Sequence, residues 1–586
     1  MKKIFLYICL ALMALCSACN EEFLERYPLD EISPNDYWKS TEDMKLYCNQ
    51  FYGAFPVHSG WWNFSVLWDN NSDNLVPGTF NNRLAGRDEV PTSGGGWNWD
   101  NIRKVNYMLA NTASVEGTVA DVNHFMGEAR FFRAWFYFEK VKAFGDVPWI
   151  SKPLNIDSEE LYAKRDARNV VVDSIIMDLD KAIAGLKEKG KAPAFRINKE
   201  VAMAFKSRVC LFEGTWEKYH TGTPFGVNGS DGSKYLQLAA EVAGQLIDGG
   251  KFSLYSTGDP AMDYHNVFNK TDYSGVSEVM LWKKYDRELG VTHNLGNRIP
   301  HQGMDTGLSK ALVDSYLCSD GLPIAISPLY NGANDQKSLV SISANRDPRF
   351  SQVTLIPGNK ILGEGDIIIP FEKPRLADTQ ENRCTTGYQI FKGASLDPDE
   401  RSGANQATVG TVIFRFAEVL LNYAEAKAET GNLTQGDLDK SINKLRDRVG
   451  MPHLSLGAVP NDPNKAFSAL SALINEIRRE RRVETALDGT RLSDLLRWRA
   501  HELIVGKRPK GFLYKDSDLQ GTYTSDGQDR IIIGENLFLD ENGYIDPYQK
   551  SLPAGYGFNP DRDYLRPIPT QELTLNPQLS QNPGWE

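Results

Sequence analysis

Apolar residues recur at helical spacing through two long parts of this chain. Between those parts they alternate with polar residues only in short bursts. Phe125, Ala129, Phe132 and Phe136 fall at i, i+4, i+7 and i+11, one helical face. Phe131, Trp135 and Phe138 form a second face, so this helix is apolar on most sides and belongs at the centre of the fold. Gly145 offers a C-cap and Pro148 a breaker, which together end it. Further helices are predicted over residues 43–51, 169–187, 199–219 and 234–249. From Phe252 to about Thr408, β-like runs such as EVMLWKKY alternate with Gly-, Pro- and Asn-rich loops. Helical spacing returns in FRFAEVLLNYAEAKAETGN, DLDKSINKLRDRVG and SALINEIRRERRVETALDG. Residues 501–586 are loop-rich again. So are residues 55–100, which carry Trp61, Trp62, Trp68, Trp97 and Trp99 around Gly94-Gly95-Gly96. An irregular stretch of that length inside a compact chain is uncommon and often functional.

The helices come in pairs. KEVAMAFKSRVCLFEGTW is followed by KYLQLAAEVAGQLIDGG, and FAEVLLNYAEAKAETGN by DLDKSINKLRDRVG. Small residues at helical spacing let two helices approach closely, and stacked pairs bury a continuous core. The pairs resemble degenerate tetratricopeptide repeats. The expected fold is mostly α: a tetratricopeptide-like helical repeat scaffold packed against a loop-rich subdomain with short β elements.

The first residues are an address. Lys2 and Lys3 precede the apolar run Ile4–Leu15, a run too short to span a bilayer and shaped like a secretory leader. Ser17-Ala18-Cys19 ends it with small residues before a cysteine, resembling a bacterial lipobox, with Cys16 where Leu is more usual. Residues 1–18 are therefore expected to be a signal peptide. Cys19 is expected to carry lipid on its sulfur and an acyl chain such as palmitate on its amine. Several acyl chains together make a stable membrane anchor. Of the seven cysteines, Cys48, Cys210, Cys318 and Cys384 remain in the mature body. They have no zinc spacing and are expected as buried thiols, although an exported location permits a disulfide.

Composition is that of an ordinary globular chain, with 41% hydrophobic and 24% charged residues. The net charge of −11, more negative once the leader is gone, argues against nucleic acid as a partner.

Six stretches carry a more specific signal. They are CNEEFLERYP, GEARFFRAWFYFEKVKAFGDVPWI, VDSYLCSDGLPI, FRFAEVLLNYAEAKAETGN, INEIRRERRVETALDGTRLSDLLRW and YLRPIPTQELTLNPQLSQNPGW, in that order from residue 19 to 585. Together they resemble the SusD/RagB family of outer-membrane nutrient-binding lipoproteins. The resemblance implies four tetratricopeptide-like repeats and no catalytic activity. It also implies binding of a glycan or similar nutrient at the cell surface, and a SusC-like TonB-dependent β-barrel transporter as partner, with this protein as its lid. Glu21, Glu22 and Glu25, just after Cys19, look like a surface-export signal of that family. The expected location is the outer membrane, lipid-anchored and facing outward. The expected division is a SusD-like helical region over 19–255 and a SusD/RagB region over 256–586. The latter is loop-rich over 256–410, helical over 411–500 and loop-rich over 501–586.

Candidate chemistry is that of binding. No GxSxG, P-loop or GxGxxG is present, so no cofactor is expected. His501-Glu502 begins a zinc-like pattern that Val505 breaks. Asp69 to Asp73 spaces oxygens as a calcium loop does, but Asn74 and Phe80 stand where Gly and Glu are required. Arg478, Arg479, Arg481 and Arg482 alternate with Glu476, Glu480 and Glu484, which predicts pairing within one helix. Sugars pack their C–H faces on aromatic rings and need amides and charged groups for their hydroxyls. Trp61, Trp62, Trp97 and Trp99 are the candidate platforms, with Asn98 and Asn101 beside them. Tyr285, Arg287, His293, Asn294 and Arg298 are candidates for a facing wall. A surface glycoside hydrolase is the competing reading, since a chain this long has carboxylates enough for one. A lid for peptides or another non-glycan nutrient is a further alternative.

Overall fold

The computed structural model describes residues 37–586 except 364, 366, 402 and 524–528. The leader, Cys19, Glu21, Glu22 and Glu25 lie outside the described residues.

The longer helices are α1 (Thr41–Asn49), α2 (Asp100–Asn111), α3 (Val119–Phe144), α4 (Arg168–Gly185), α5 (Lys199–Tyr219), α6 (Ser233–Asp248), α7 (Phe416–Glu429), α8 (Ile442–Arg448), α9 (Ala472–Glu484) and α10 (Arg491–Arg497). Helix α3 is the apolar one foreseen. The Thr118 side chain accepts from Asp121 N at its start, and Gly145 ends it at φ 71°, a conformation that favours glycine. Phe131, Phe132, Trp135, Phe136 and Phe138 are all buried along it.

Successive helices stack in order: α3 on α4, α4 on α5, α5 on α6, and α6 on α7. The small-residue expectation holds at Gly214 of α5. A Cβ there would stand 2.7 Å from Leu236 Cγ and 2.8 Å from Leu236 N of α6, so a larger residue would push the two helices apart. Helices α7 and α10 close the stack against α5, and α9 packs on α7 and pairs with α10 through Arg481 and Asp494. The helical core accordingly mixes residues such as Phe132 and Phe205 with Leu420, Leu495 and Ile568 from much later in the chain.

The loop-rich part has a core of its own, built on Phe64, Tyr264, Leu308, Tyr316, Phe350 and Tyr388. Its strands are short. β1 (Val279–Lys283) pairs antiparallel with β4 (Thr411–Arg415), and β2 (Lys360–Leu362) with β3 (Ile368–Pro370). Strand β4 leads directly into α7, which ties the loops to the helical stack. Cys48, Cys210, Cys318 and Cys384 are buried free thiols.

Two expectations need correction. DLDKSINKLRDRVG does not form one helix. It breaks at Ser441, whose hydroxyl donates to Asp437 O at 2.5 Å, leaving a short helix at Gln435–Asp439 before α8. Nor is the arginine cluster of α9 paired mainly within its helix. Arg479 does meet Glu476 three residues away, but Arg478 reaches Glu429, Arg481 reaches Asp494, and Arg482 reaches Asp73. Glu484 binds Arg415, Arg448 and Arg349 from three other segments. Both faces of α9 are covered, so its charges find partners across interfaces rather than along a solvated surface. The calcium-like loop is docked by the same network: Asp73 takes Arg482 and Arg491, and Asp69 Oδ2 accepts from Asn74 and the Leu487 amide.

Candidate functional site

The chain after α1 makes a tight turn that pushes two indoles outward. Ser59 and Asn63 exchange backbone hydrogen bonds, and Gly60 takes φ 54° between them. Trp61 and Trp62 lie within the turn and stay 47% and 41% exposed. Few large rings among the described residues are so open to water, and an exposed apolar patch of this kind marks a place for an interaction.

Buried polar groups hold the turn in place. His58 N donates to Thr411 Oγ1 of β4, and Tyr285 OH donates to His58 O at 2.7 Å. His293 packs against both rings, with centroids 4.8 Å from His58 and 4.5 Å from Tyr285. Asn294 N donates to Gly60 O. Burial keeps both imidazoles neutral: His58 is held well below its ordinary pKa, and His293 is lowered to about 4. Tyr285, His293 and Asn294 were candidates for a ligand-facing wall. The structure makes them the buried base under the turn instead. Their polar atoms hold backbone and face away from solvent, because short loops need such internal partners. Arg287 is likewise engaged, bracing its hairpin to Glu400 and to the carbonyls of Asp399 and Gln406.

Arg298 is different. Its guanidinium carbon sits 3.7 Å from the Trp62 ring centroid and 5.4 Å from that of Trp61. Its Nη1 donates to Gln302, while Nε has no hydrogen-bond partner among the described residues. Burial lowers its pKa, and the nearby charge of Glu381 opposes that shift. Of the two expected clusters, the structure therefore brings together Trp61, Trp62 and Arg298.

The other tryptophans go elsewhere. Gly94, Gly95 and Gly96 all take positive φ, and Trp97 N donates back to Gly94 O, which turns Trp97 inward. It is 6% exposed and meets Phe144 edge-on at 4.9 Å. Trp99 packs against Trp97 and Tyr137, with Lys140 over its ring. Trp97 is thus core and offers no platform. Asn98 accepts from Asp100 N at the start of α2. Asn101 is exposed on that first turn.

Behind the turn lies a cavity of about 570 Å³, lined in part by His58, Trp68, Asn71, Trp135, Arg208 and Asp488. Trp68 and Asn71 also border an open groove of about 550 Å³ with Phe80, Asn81, Asn82 and Arg566. Trp68 donates to Asn63 Oδ1, which links the groove to the exposed turn. Sequence reasoning missed this amide-rich groove, because DNNSDN reads only as a calcium-like or polar loop and nothing local ties it to Asn81 and Asn82.

The SusD family model matches residues 270–585, and a second model, described as starch-binding associating with outer membrane, matches residues 29–211. The chain belongs to the SusD family. It is 24% identical to SusD-like protein P2 of Formosa agariphila, over 100% of both chains. Its fold resembles a SusD-like carbohydrate binding protein from Bacteroides fragilis, with TM-score 0.69 and 20% identity over 93% of this chain and 100% of that one. It also resembles a laminarin binding SusD-like protein, with TM-score 0.54 and 18% identity over 93% and 100%. As in these SusD-like neighbours, the architecture is a tetratricopeptide-like helical scaffold with a loop-rich partner.

Proposed function

We propose that the protein binds a glycan on the exposed turn at Trp61 and Trp62 and delivers it to a SusC-like TonB-dependent β-barrel transporter. The exposed indole pair carries the reading. A flat apolar ring held at the surface by a rigid base suits the C–H face of a sugar, and the adjoining groove supplies the amides that hydroxyls require. Family membership supports it, as do relatives whose names specify carbohydrate or laminarin.

The carboxylates near the turn support binding over hydrolysis. Burial pushes Asp488 toward protonation, but Arg415 and Lys392 hold it ionised. Asp494 is clamped by Arg481 and Arg497. A glycosidase needs one carboxyl kept protonated as the acid, and burial does raise Asp69 to about 6, but Asp69 is fully buried with Oδ2 held by Asn74 and the Leu487 amide, out of reach of a sugar. Among the described residues no helix is long and apolar enough to cross a membrane. Membrane attachment is assigned to lipid on Cys19 on the strength of the lipobox-like Ser17-Ala18-Cys19, and outward export to the acidic Glu21, Glu22 and Glu25.

A glycan array followed by calorimetry tests the reading. Trp61→Ala with Trp62→Ala should abolish binding without releasing new reducing ends from any glycan. Full binding by that double variant would overturn it. Two further tests address the anchor and the partner. Cys19→Ala should move the protein to the soluble fraction. The native protein should co-purify with one large barrel through an interface above about 1,000 Å².

A further inference from the structure

Among the described residues the buried arginines other than Arg298 each meet a carboxylate or at least two backbone carbonyls, even where a nitrogen such as Arg478 Nε stays unpartnered. Arg415 reaches Glu484 Oε1 at 2.6 Å and Asp488 Oδ2 at 2.7 Å. Arg168 grips Glu213 through Nε and Nη2, and Arg497 grips Glu425 through Nη1 and Nη2. Where a carboxylate is lacking, carbonyls substitute: Arg346 donates to Val313, Tyr316, Ile342 and Leu317. Arg298 breaks this pattern. It is 7% exposed, yet among the described residues its side chain has a single hydrogen bond, to an uncharged amide. Its Nε is buried without a partner and its Nη2 makes no hydrogen bond among the described residues, so Nη2 is left to meet an acceptor from outside.

Its surroundings name the acceptor. Arg401 and Arg375 lie close enough to His301 that, after burial, their charges help lower its pKa to about 4. Arg375 is paired with Asp378, whereas Arg401 donates to the carbonyls of Leu362 and Gly363. His301 Nε2 has no partner among the described residues. Exposed Glu381 is the acidic group that acts on Arg298. Arg298 is thus a cation without a carboxylate partner among the described residues, on a chain of net charge −11 where general attraction for anions is absent.

We propose that the Trp61–Trp62–Arg298 face selects an anionic glycan, with Arg298 holding a uronic-acid carboxylate or a sulfate ester. The inference rests on the glycan-binding reading above and narrows its ligand class. A planar guanidinium fork matches either group through two parallel hydrogen bonds. Stacking on Trp62 fixes the plane of that fork in advance, so less freedom is lost when the ligand binds. The same sugar can then lay its ring on Trp61 while its charged substituent meets Arg298.

Calorimetry with matched probes tests this in the full mature chain. The pairs are oligogalacturonate against its methyl ester, and a sulfated galactan oligosaccharide against its desulfated form. At least one charged probe should bind about tenfold or more tighter than its neutral match, with affinity falling as salt rises. Which pair responds distinguishes carboxylate from sulfate. Arg298→Gln should remove that preference, and Arg298→Lys should restore part of it, since it keeps the charge but not the fork. If Arg298→Gln fails to fold, the wild-type probe pairs and their salt dependence decide alone. Equal binding of charged and neutral probes, or an unchanged preference in folded Arg298→Gln, overturns the proposal. Binding of neutral glycans alone, lost in Trp61→Ala, overturns it while leaving the glycan reading intact. Binding of no charged or neutral glycan overturns both.

Discussion

The charge hub of the helical stack and the aromatic face of the loops treat the same side chain in opposite ways. Arg415 and Arg298 are 4% and 7% exposed. Arg415 is surrounded by Glu278, Glu484 and Asp488, whereas Arg298 rests on indole with one amide partner. In the hub the guanidiniums of Arg415, Arg446 and Arg448 meet carboxylates that fix geometry between α9, β4 and α8. On the face, donor capacity is left over and the rings stay wet. The scaffold gives its buried guanidiniums carboxylate partners, and the face leaves Arg298 without one among the described residues.

The contrast is sharpest in Glu484, which serves Arg349, Arg415 and Arg448 at once. Glu484→Ala leaves three buried guanidiniums short of a partner. It should cost about 3–5 kcal/mol in urea unfolding, the usual loss when one side of a buried pair is removed. A cost below about 1 kcal/mol would mean that the hub relaxes, and would erase its distinction from the face.

Trp97→Ala should cost nearly as much, about 3–5 kcal/mol, as an aromatic side chain deleted from a packed core does. Thermal unfolding checks it. An unchanged midpoint would return Trp97 to the list of ligand platforms.

Acid should act on the hub before it acts on the face. Burial favours protonation of Glu484, but the surrounding guanidiniums hold its pKa well below the carboxylate range. Glu425 is likewise held down, against burial, by Arg497 and Arg481. Because the folded values are depressed, their contribution is complete above the unfolded value near about 4.3 and is lost as pH falls below it. Stability measured from pH 6 to pH 3 should therefore fall in the lower part of that range. The slope should be shallower in Glu484→Gln.

The smallest stability change is expected on the face. Trp61→Ala and Trp62→Ala should each shift unfolding by no more than about 0.5 kcal/mol, as surface substitutions do. Glycan binding should weaken in both. A large loss of stability at either position would move the pair into the scaffold.

What was legible in advance follows range of interaction. Helix α3 was readable because its caps and its apolar faces lie within its own residues. The helix expected over 199–219 is observed at Lys199–Tyr219 for the same reason. The glycines and alanines of α5 and α6 announced close pairing, since approach distance depends on side-chain size at a few positions. The family resemblance was also carried by contiguous residues. Exposure was not. Trp61 and Trp97 sit in equally loop-rich sequence, and their fates are set by contacts far along the chain. The turn bearing Trp61 is held out by Thr411, Tyr285 and Asn294, while Trp97 is drawn in against Phe144. Arg298 lies more than 200 residues from the rings it covers. The arginine run of α9 showed its charges but not its partners, which come from several segments. Local sequence determined which segments would be helical, because backbone hydrogen bonds and side-chain spacing repeat within a few residues. Only the tertiary structure decided which rings face water and which charges stay unpaired, because both depend on what the rest of the chain brings alongside.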